Sequence, residues 1–300
     1  MNRLWIGASL LLLFIAGVGA WLFLLPTAAP ARNHRWFARL RDDHRPLVMA
    51  HQGGEGEAPA NTMLAFRQAV AAGADVLDTD MLMSRDGVLV LIHDSAVDRT
   101  TNGKGAIRNM TLSEIKKLDA GYSFSNDGGR TFPYRGRGVT VPTVEELFEA
   151  FPGKRMGIEI KETEPNETAE RFCKLIREYH MQEKVLVSSF GQQNMDAFRS
   201  RCPEVATSAT AREALQFWRW NLFGMVRVIA PKFDCLQVPE KSGSRQVITP
   251  DFIAAARERN LPILPWTIND EADLQRMIVL KVLAINTDYP TRLVRLLSKR

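Results

Sequence analysis

Two histidines each close an apolar run, Leu47-Val48-Met49-Ala50-His51 and Val88-Leu89-Val90-Leu91-Ile92-His93-Asp94. Between them lies Asp78-Thr79-Asp80, and farther on Glu159-Ile160-Lys161. These are parts for metal-assisted phosphoester chemistry. Two imidazoles can move protons near neutral pH, one deprotonating the attacking oxygen and the other protonating the departing alkoxide. Residue type alone does not assign which does which. Asp78, Asp80 and Glu159 can hold one divalent cation, and oxygen-only donors suit Mg²⁺ or Ca²⁺ better than zinc. Lys161 can meet a phosphate charge.

Asp78 and Asp80 are two apart on a strand-like run, so their side chains point to one side, and Glu159 and Lys161 repeat the geometry. The residues between and beside them, Leu77, Thr79, Ile158 and Ile160, are mostly apolar, which argues against a solvent-facing alternation. Inward charges are costly unless paired or bound to metal. A cation explains them better than the alternative, an internal Asp–Lys salt-bridge network. His34 and His44 fall in a segment near the N-terminus, and His180 near a helix end as a surface or capping residue. For Asp94, orienting an imidazole and capping a strand stay equally open.

The elements that must aim these groups read as alternating β and α. Strands are expected at 47–51, 75–81, 88–93, 155–161, 184–190, 204–209, 234–239, 262–268 and 282–287, and helices at 61–72, 143–151, 166–180, 191–201, 211–223, 250–260 and 270–280. Thr143 followed by Glu146, and Thr249-Pro250-Asp251, are helix-start signals. Nine strands are one too many for an eightfold ring. Met83-Ser84-Arg85-Asp86-Gly87 is too short for a parallel crossover and carries an Asp-Gly turn signal, so 75–81 and 88–93 form a hairpin. The remaining eight predict an α/β (β/α)8 TIM barrel. No Gly-x-Gly-x-x-Gly turn supports an open doubly wound sheet. Residues 99–141, rich in Gly, Asn, Arg and Thr, form a small insertion after the hairpin.

Three hundred residues with 45% hydrophobic and 24% charged content suit a large globular domain. A net charge of +5, with scattered cations and no stacking aromatics among them, speaks against a nucleic-acid partner. Leu4 to Leu25 is uncharged and mostly apolar, with Trp5 and Trp21 near its ends. As a helix it would span about 33 Å, enough to cross a bilayer. Residues 1–25 are therefore expected to be a single-pass transmembrane anchor, in preference to a cleaved signal peptide, and 26–45 a linker to a barrel over 46–300. Arg32, Arg35, Arg39, Arg41 and Arg45 favour a cytoplasmic barrel, although a large domain can override that bias. Cys173, Cys202 and Cys235 lack metal-type spacing and read as small buried side chains rather than a disulfide framework.

The motifs, taken in order, resemble the glycerophosphodiester phosphodiesterase family. They are His51-Gln52-Gly53-Gly54, Ala58-Pro59-Ala60-Asn61-Thr62, Gly73-Ala74-Asp75-Val76-Leu77-Asp78-Thr79-Asp80, Asp86-Gly87, His93-Asp94, Arg99-Thr100-Thr101-Asn102-Gly103, Glu159-Ile160-Lys161, Trp266-Thr267-Ile268-Asn269 and Thr287-Asp288-Tyr289-Pro290. The resemblance covers about residues 46–297 and implies a phosphodiesterase-type barrel, one divalent cation, and hydrolysis of glycerophosphodiesters to glycerol 3-phosphate and an alcohol. It implies that His51 and His93 are catalytic, that Asp78, Asp80 and Glu159 hold the metal, and that Lys161, Gln52 and Trp266 contact substrate. Three positions depart from the family pattern. Gln52 stands for the usual Arg and removes a permanent bidentate phosphate contact. Asp78 stands for the usual Glu, one methylene longer. Ala60 stands for the usual Glu before Asn-Thr, and Glu55 and Glu57 in the same loop are candidates to compensate.

The aromatic-dense stretch Ala214–Phe223 could dock at a bilayer, or could be an ordinary barrel helix burying one face. With the apolar N-terminus, it raises a lysophospholipid as a second substrate, giving a lysophosphatidate. Two other functions compete: a phosphatidylinositol-type phospholipase C, which would release a cyclic phosphate, and a membrane-tethered phosphodiester-binding protein without turnover.

Overall fold

Aliphatic runs that are mostly buried make the strands, apart from the short polar pair β8 and β9. They are β1 (Leu47–Ala50), β2 (Val76–Met83), β3 (Leu89–Leu91), β4 (Arg155–Ile160), β5 (Val185–Ser188), β6 (Ala206–Thr207), β7 (Leu236–Pro239), β8 (Lys241–Ser242), β9 (Arg245–Gln246), β10 (Ile263–Trp266) and β11 (Ala284–Thr287). The computed structural model describes residues 26–38, 45–161 and 164–298. The helices are α1 (Arg35–Ala38), α2 (Met63–Ala72), α3 (Leu112–Ile115), α4 (Val144–Ala150), α5 (Pro165–Glu178), α6 (Gln192–Arg201), α7 (Ala211–Leu222), α8 (Pro250–Glu258), α9 (Glu271–Val279) and α10 (Pro290–Leu297).

Eight of the strands form a TIM-barrel-like ring in chain order. Parallel pairing runs from β11 through β1, β2, β4 and β5 to β6, and separately joins β7 to β10. A parallel bridge between Ser208 and Cys235 joins β6 to β7. Leu283 N donates to Ile263 O (3.0 Å) and Ile268 N to Asn286 O (2.9 Å), which joins β10 to β11. The expected hairpin is present. The outer residues Met81–Met83 of β2 pair antiparallel with Leu89–Leu91 of β3, and Gly87 supplies the positive φ (+81°) that the turn requires. Two helix starts follow the sequence signals, Thr143 with Glu146 as a reciprocal capping box and Thr249 capping α8 ahead of Pro250, and α7 begins with a further capping box, Thr210 with Glu213.

Several expectations are corrected. The strand expected at 204–209 is only two residues long, with Ser208 adding a single bridge. The short hairpin β8–β9 follows β7, in a polar stretch that carries no apolar alternation. Helix α10 was not expected, although Pro290 at its first turn and Leu293 and Leu296 on its buried side are its signals. The insertion folds over its own small core, in which Leu82, Val90 and Ile92 of the hairpin region pack against Val97, Ile107 and Ile115.

Residues 26–38, read from composition as linker, instead cross the floor of the ring. Trp36 and Phe37 are fully buried against strand-start residues, among them Leu47, Val76, Leu186 and Ala284. Arg32 pairs with Asp234 (2.7 Å), and Trp36 Nε1 donates to Lys184 O (3.0 Å). Two aromatic side chains buried at about 1.5–3 kcal/mol each outweigh the polar average of the segment. Cys173 on α5 and Cys202 just after α6 form a disulfide (Cα–Cα 5.7 Å), so only Cys235 among the described residues is the expected buried free thiol. A separation of 29 residues carries no sequence signature; the packing of α5 on α6 creates the pair. The membrane segment expected at 4–25 lies outside the described residues. Among those described, no helix is long and apolar enough to cross a membrane.

Candidate active site

All the strands of the ring run the same way, so residues at their C-terminal ends converge on one mouth. There a cavity of about 740 Å³ is lined by His51, Asp78, Asp80, His93, Glu159 and Lys161, together with Trp266. Seven of the eight residues singled out from sequence therefore share one space. The eighth, Gln52, does not line it. It lies in the tight turn His51–Gly53, buried to 2% exposure with φ +51°, and its side-chain oxygen has no hydrogen-bond partner. Gln52 is next to His51 in sequence but is not among the residues that line the cavity.

Strand register builds the acidic group. Asp80 and Glu159 are direct partners across β2 and β4, and Asp78 faces Gly157. A Cβ at position 157 would lie 2.4 Å from Asp78 Oδ1 and 2.3 Å from Met49 Cε, so the glycine makes the space the carboxylate occupies. Asn286 of β11 donates to Asp78 Oδ2 (2.7 Å), and Asn61 donates to Asp80 Oδ2 (3.2 Å). Lys161 Nζ spans Glu159 Oε2 (2.7 Å) and Asp80 Oδ1 (3.2 Å). Burial pushes the Asp78 carboxyl up to about 7; the His51 charge opposes this, and the Asp80 charge adds to it. Burial likewise raises Glu159, against the pull of Lys161. Asp78, Asp80 and Glu159 all line this cavity, although their oxygens do not all lie within 4.8 Å of one another, and three oxygen-only donors facing one space suit a hard divalent cation.

Each imidazole gives Nδ1 to an acid, which directs Nε2 elsewhere. His51 Nδ1 lies 2.6 Å from Asp288 Oδ1 and 3.5 Å from Glu55 Oε1. Asp288 is fixed in turn by Asn269, whose Nδ2 donates to Asp288 Oδ2 (2.5 Å) and whose Oδ1 accepts from the Asp288 backbone N–H (2.9 Å). His93 Nδ1 lies 2.6 Å from Asp94 Oδ1, so Asp94 is the orienting residue that the sequence left undecided. Arg99, at the start of the insertion, donates Nε to Asp94 Oδ2 (2.6 Å) and holds the Asp94 carboxyl below its ordinary value.

The two relays differ in charge. His51 faces two acids, and the nearer one is held by a neutral amide; the acid beside His93 is already neutralised by Arg99. Burial pulls the His51 pKa down, but the hydrogen bonds of Asp288 and Glu55, with the Asp78 charge, carry it up to about 10. The one ligand atom each that His51, Glu55 and Asp288 offer lie within 4.8 Å of one another. Glu57 does something else: it accepts from Thr291 N (3.1 Å) and Thr291 Oγ1 (2.7 Å), at the start of α10. Asn269, Asp288 and Arg99 lie within the sequence motifs, yet nothing local in the sequence shows which ring each acid meets.

The far wall of the cavity is apolar. Ala214, Leu215 and Trp218 of α7 line it, with Val238, Val247 and Phe252. Phe190 meets Trp266 edge-on at 5.7 Å, and the Arg245 guanidinium lies 6.0 Å from the Trp218 ring centre. The aromatic stretch flagged in the sequence is thus divided: Phe217 points into the core, Leu215 and Trp218 face the cavity, and Leu222 and Phe223 are exposed at the other end of the helix.

Residues 51–292 match the model of the glycerophosphoryl diester phosphodiesterase family. A glycerophosphodiester phosphodiesterase of Caldanaerobacter subterraneus subsp. tengcongensis is 33% identical over 261 residues, covering 85% of this chain and 99% of that one. A Bacillus subtilis glycerophosphodiester phosphodiesterase is 28% identical, over 94% of this chain and 95% of its own. The crystal structure of the glycerophosphodiester phosphodiesterase from Agrobacterium tumefaciens superimposes with a TM-score of 0.68 at 28% identity, covering 83% of this chain and 99% of that chain. An Oleispira antarctica phosphodiesterase, solved with the product sn-glycerol-3-phosphate, gives 0.69 at 25% identity, over 85% and 97%.

Proposed function

Because this chain belongs to the glycerophosphoryl diester phosphodiesterase family and is a phosphoric diester hydrolase acting on glycerophosphodiesters, we propose a division of labour among its residues. Asp78, Asp80 and Glu159 hold one divalent cation, Mg²⁺ or Ca²⁺, which when bound neutralises a non-bridging phosphoryl oxygen. Lys161, half-buried and facing the same cavity, adds a second positive contact. His51, protonated opposite Asp288 and Glu55, gives its proton to the departing alkoxide. His93, whose partner Asp94 is already neutralised by Arg99, takes the proton from the attacking oxygen. The products are glycerol 3-phosphate and an alcohol. The observation that carries this is the convergence of two acid-anchored imidazoles and three carboxylates on one cavity.

The apolar wall supports a second substrate, a lysophospholipid whose acyl chain lies along Leu215, Trp218, Val238 and Phe252 while its phosphodiester meets the charged end. The test is hydrolysis of a panel of glycerophosphodiesters and lysophospholipids in EDTA, Ca²⁺ and Mg²⁺, with phosphorus NMR of the products. His51→Ala and His93→Ala are each expected to lose about 10²–10⁴-fold in rate. Activity undiminished by EDTA would remove the cation, and a cyclic phosphate as the end product would favour the phospholipase C alternative. Absence of lysolipid turnover would remove the second substrate alone.

Residues 4–25 are our candidate anchor, through which the enzyme meets a bilayer. The Cys173–Cys202 disulfide supports an extracytoplasmic barrel, since such bonds persist in oxidising compartments. The flanking arginines favour the opposite side less than their count suggests. Arg32 and Arg35 are tied to Asp234 and Glu183 within the folded unit, and large domains translocate largely regardless of charge.

A further inference from the structure

The exposed large apolar side chains fall into groups. Phe190 and Leu215 belong to the lip of the cavity, and Tyr122 to the insertion. Leu222 (60% exposed), Phe223 (74%) and Val279 (66%) lie at the C-terminal ends of α7 and α9. Barrel helices run from the mouth to the floor, so these three are floor residues. Along α7, Leu222 is about 17 Å from Ala211, which lines the cavity.

The N-terminal chain arrives at this same end. Ala28 N donates to Arg227 O (2.9 Å), four residues beyond Phe223. Pro26 stands two positions before Ala28, and an extended chain of that length reaches about 7 Å. Pro26, which directly follows the apolar run in the sequence, therefore lies near the Leu222–Phe223 end of α7. From Ala214 to Phe233 the chain carries Arg219, Arg227 and Lys232 and no acidic residue. Apolar side chains among cations next to an apolar segment fit one partner, a bilayer surface bearing anionic headgroups.

We propose that the floor of the barrel is its membrane-facing end, with Leu222 and Phe223 seated in the lipid interface beside the N-terminal segment, so that the catalytic mouth opens toward water, away from the bilayer that carries the enzyme. This rests on the reading of residues 4–25 as a membrane segment and not on the assignment of catalytic roles. Substrate then reaches the cavity through the aqueous phase, as a soluble diester or a lysolipid monomer, and does not enter sideways from the host membrane.

The test uses the full chain in liposomes of phosphatidylethanolamine and phosphatidylglycerol. A single environment-sensitive label is placed by Asn221→Cys, which leaves Leu222 and Phe223 intact, or by Lys104→Cys in the mouth-side insertion. Cys235 is buried and Cys173 is bonded to Cys202, so the introduced thiol is the reactive one. The label at 221 should be quenched by lipid-borne nitroxide and shielded severalfold from aqueous iodide, while that at 104 shows the reverse. Adding L222D/F223D should return iodide access at 221 without changing glycerophosphocholine hydrolysis. Equal iodide access at the two positions, or lipid quenching at 104 alone, would overturn the proposal. Hydrolysis by the unlabelled protein is scored separately, so a failure of the catalytic reading leaves the quenching result to stand or fall alone.

Discussion

Gly157→Ala is the most economical probe of the acidic group, because it adds one carbon and removes no ligand. The new Cβ would lie 2.4 Å from Asp78 Oδ1 and 2.3 Å from Met49 Cε, each about 1 Å inside ordinary contact. Met49 Cε is the end of a flexible side chain and can turn aside. The Asp78 carboxylate is hydrogen-bonded to Asn286 (2.7 Å) and cannot move 1 Å without straining that bond. Cation ligands tolerate displacements of only about 0.2 Å. Moving one of three carboxylates fivefold beyond that tolerance should weaken cation affinity by about 10–100-fold, the range found when support for a metal ligand is removed. Overpacking should also cost about 1–3 kcal/mol of stability. The assay is glycerophosphocholine hydrolysis titrated with Ca²⁺ and with Mg²⁺ after EDTA treatment, alongside a thermal melt. A cation midpoint within twofold of the unmodified enzyme, at full maximal rate, would refute the link between Gly157, Asp78 and the metal. A lower melting temperature with an unchanged midpoint would reduce Gly157 to a packing role.

Two further outcomes follow from the relays and the disulfide. The His51 pKa is raised from 6.5 to about 10. A raised base binds its proton more tightly when folded, so its contribution to stability is complete below pH 6.5 and is lost as pH rises toward 10. Urea unfolding of the EDTA-treated protein should therefore show stability falling across that window, and Asp288→Asn should flatten the fall; an unchanged slope in the variant would show that Asp288 does not hold the His51 proton. Alkylation of the denatured, unreduced protein should modify one thiol, Cys235, and all three after reduction; three reactive thiols before reduction would remove the disulfide and the extracytoplasmic placement that rests on it.

Much of the site was legible because strand chemistry is local. Asp78 and Asp80, or Glu159 and Lys161, share a side by the two-residue period of a strand, and apolar neighbours mark that side as interior. His51 and His93 could be placed at a mouth because each ends an apolar run, and the Asp86-Gly87 turn separated the hairpin from the eight ring strands. Capping residues such as Thr143 with Glu146 fixed helix starts from a few adjacent positions. What the chain alone left open were contacts between distant segments. Asp288 meets His51 across 237 positions, and Asn286 meets Asp78 across 208. The Cys173–Cys202 bond depends on two helices lying side by side, and nothing local in the sequence shows that Gln52 is buried in a left-handed turn. Residues 26–38 are polar on average, yet they close the floor through Trp36 and Phe37, a packing decided by the space the strand ends enclose. Composition and period specify which face of an element is buried; which partner waits on that face is a property of the closed ring.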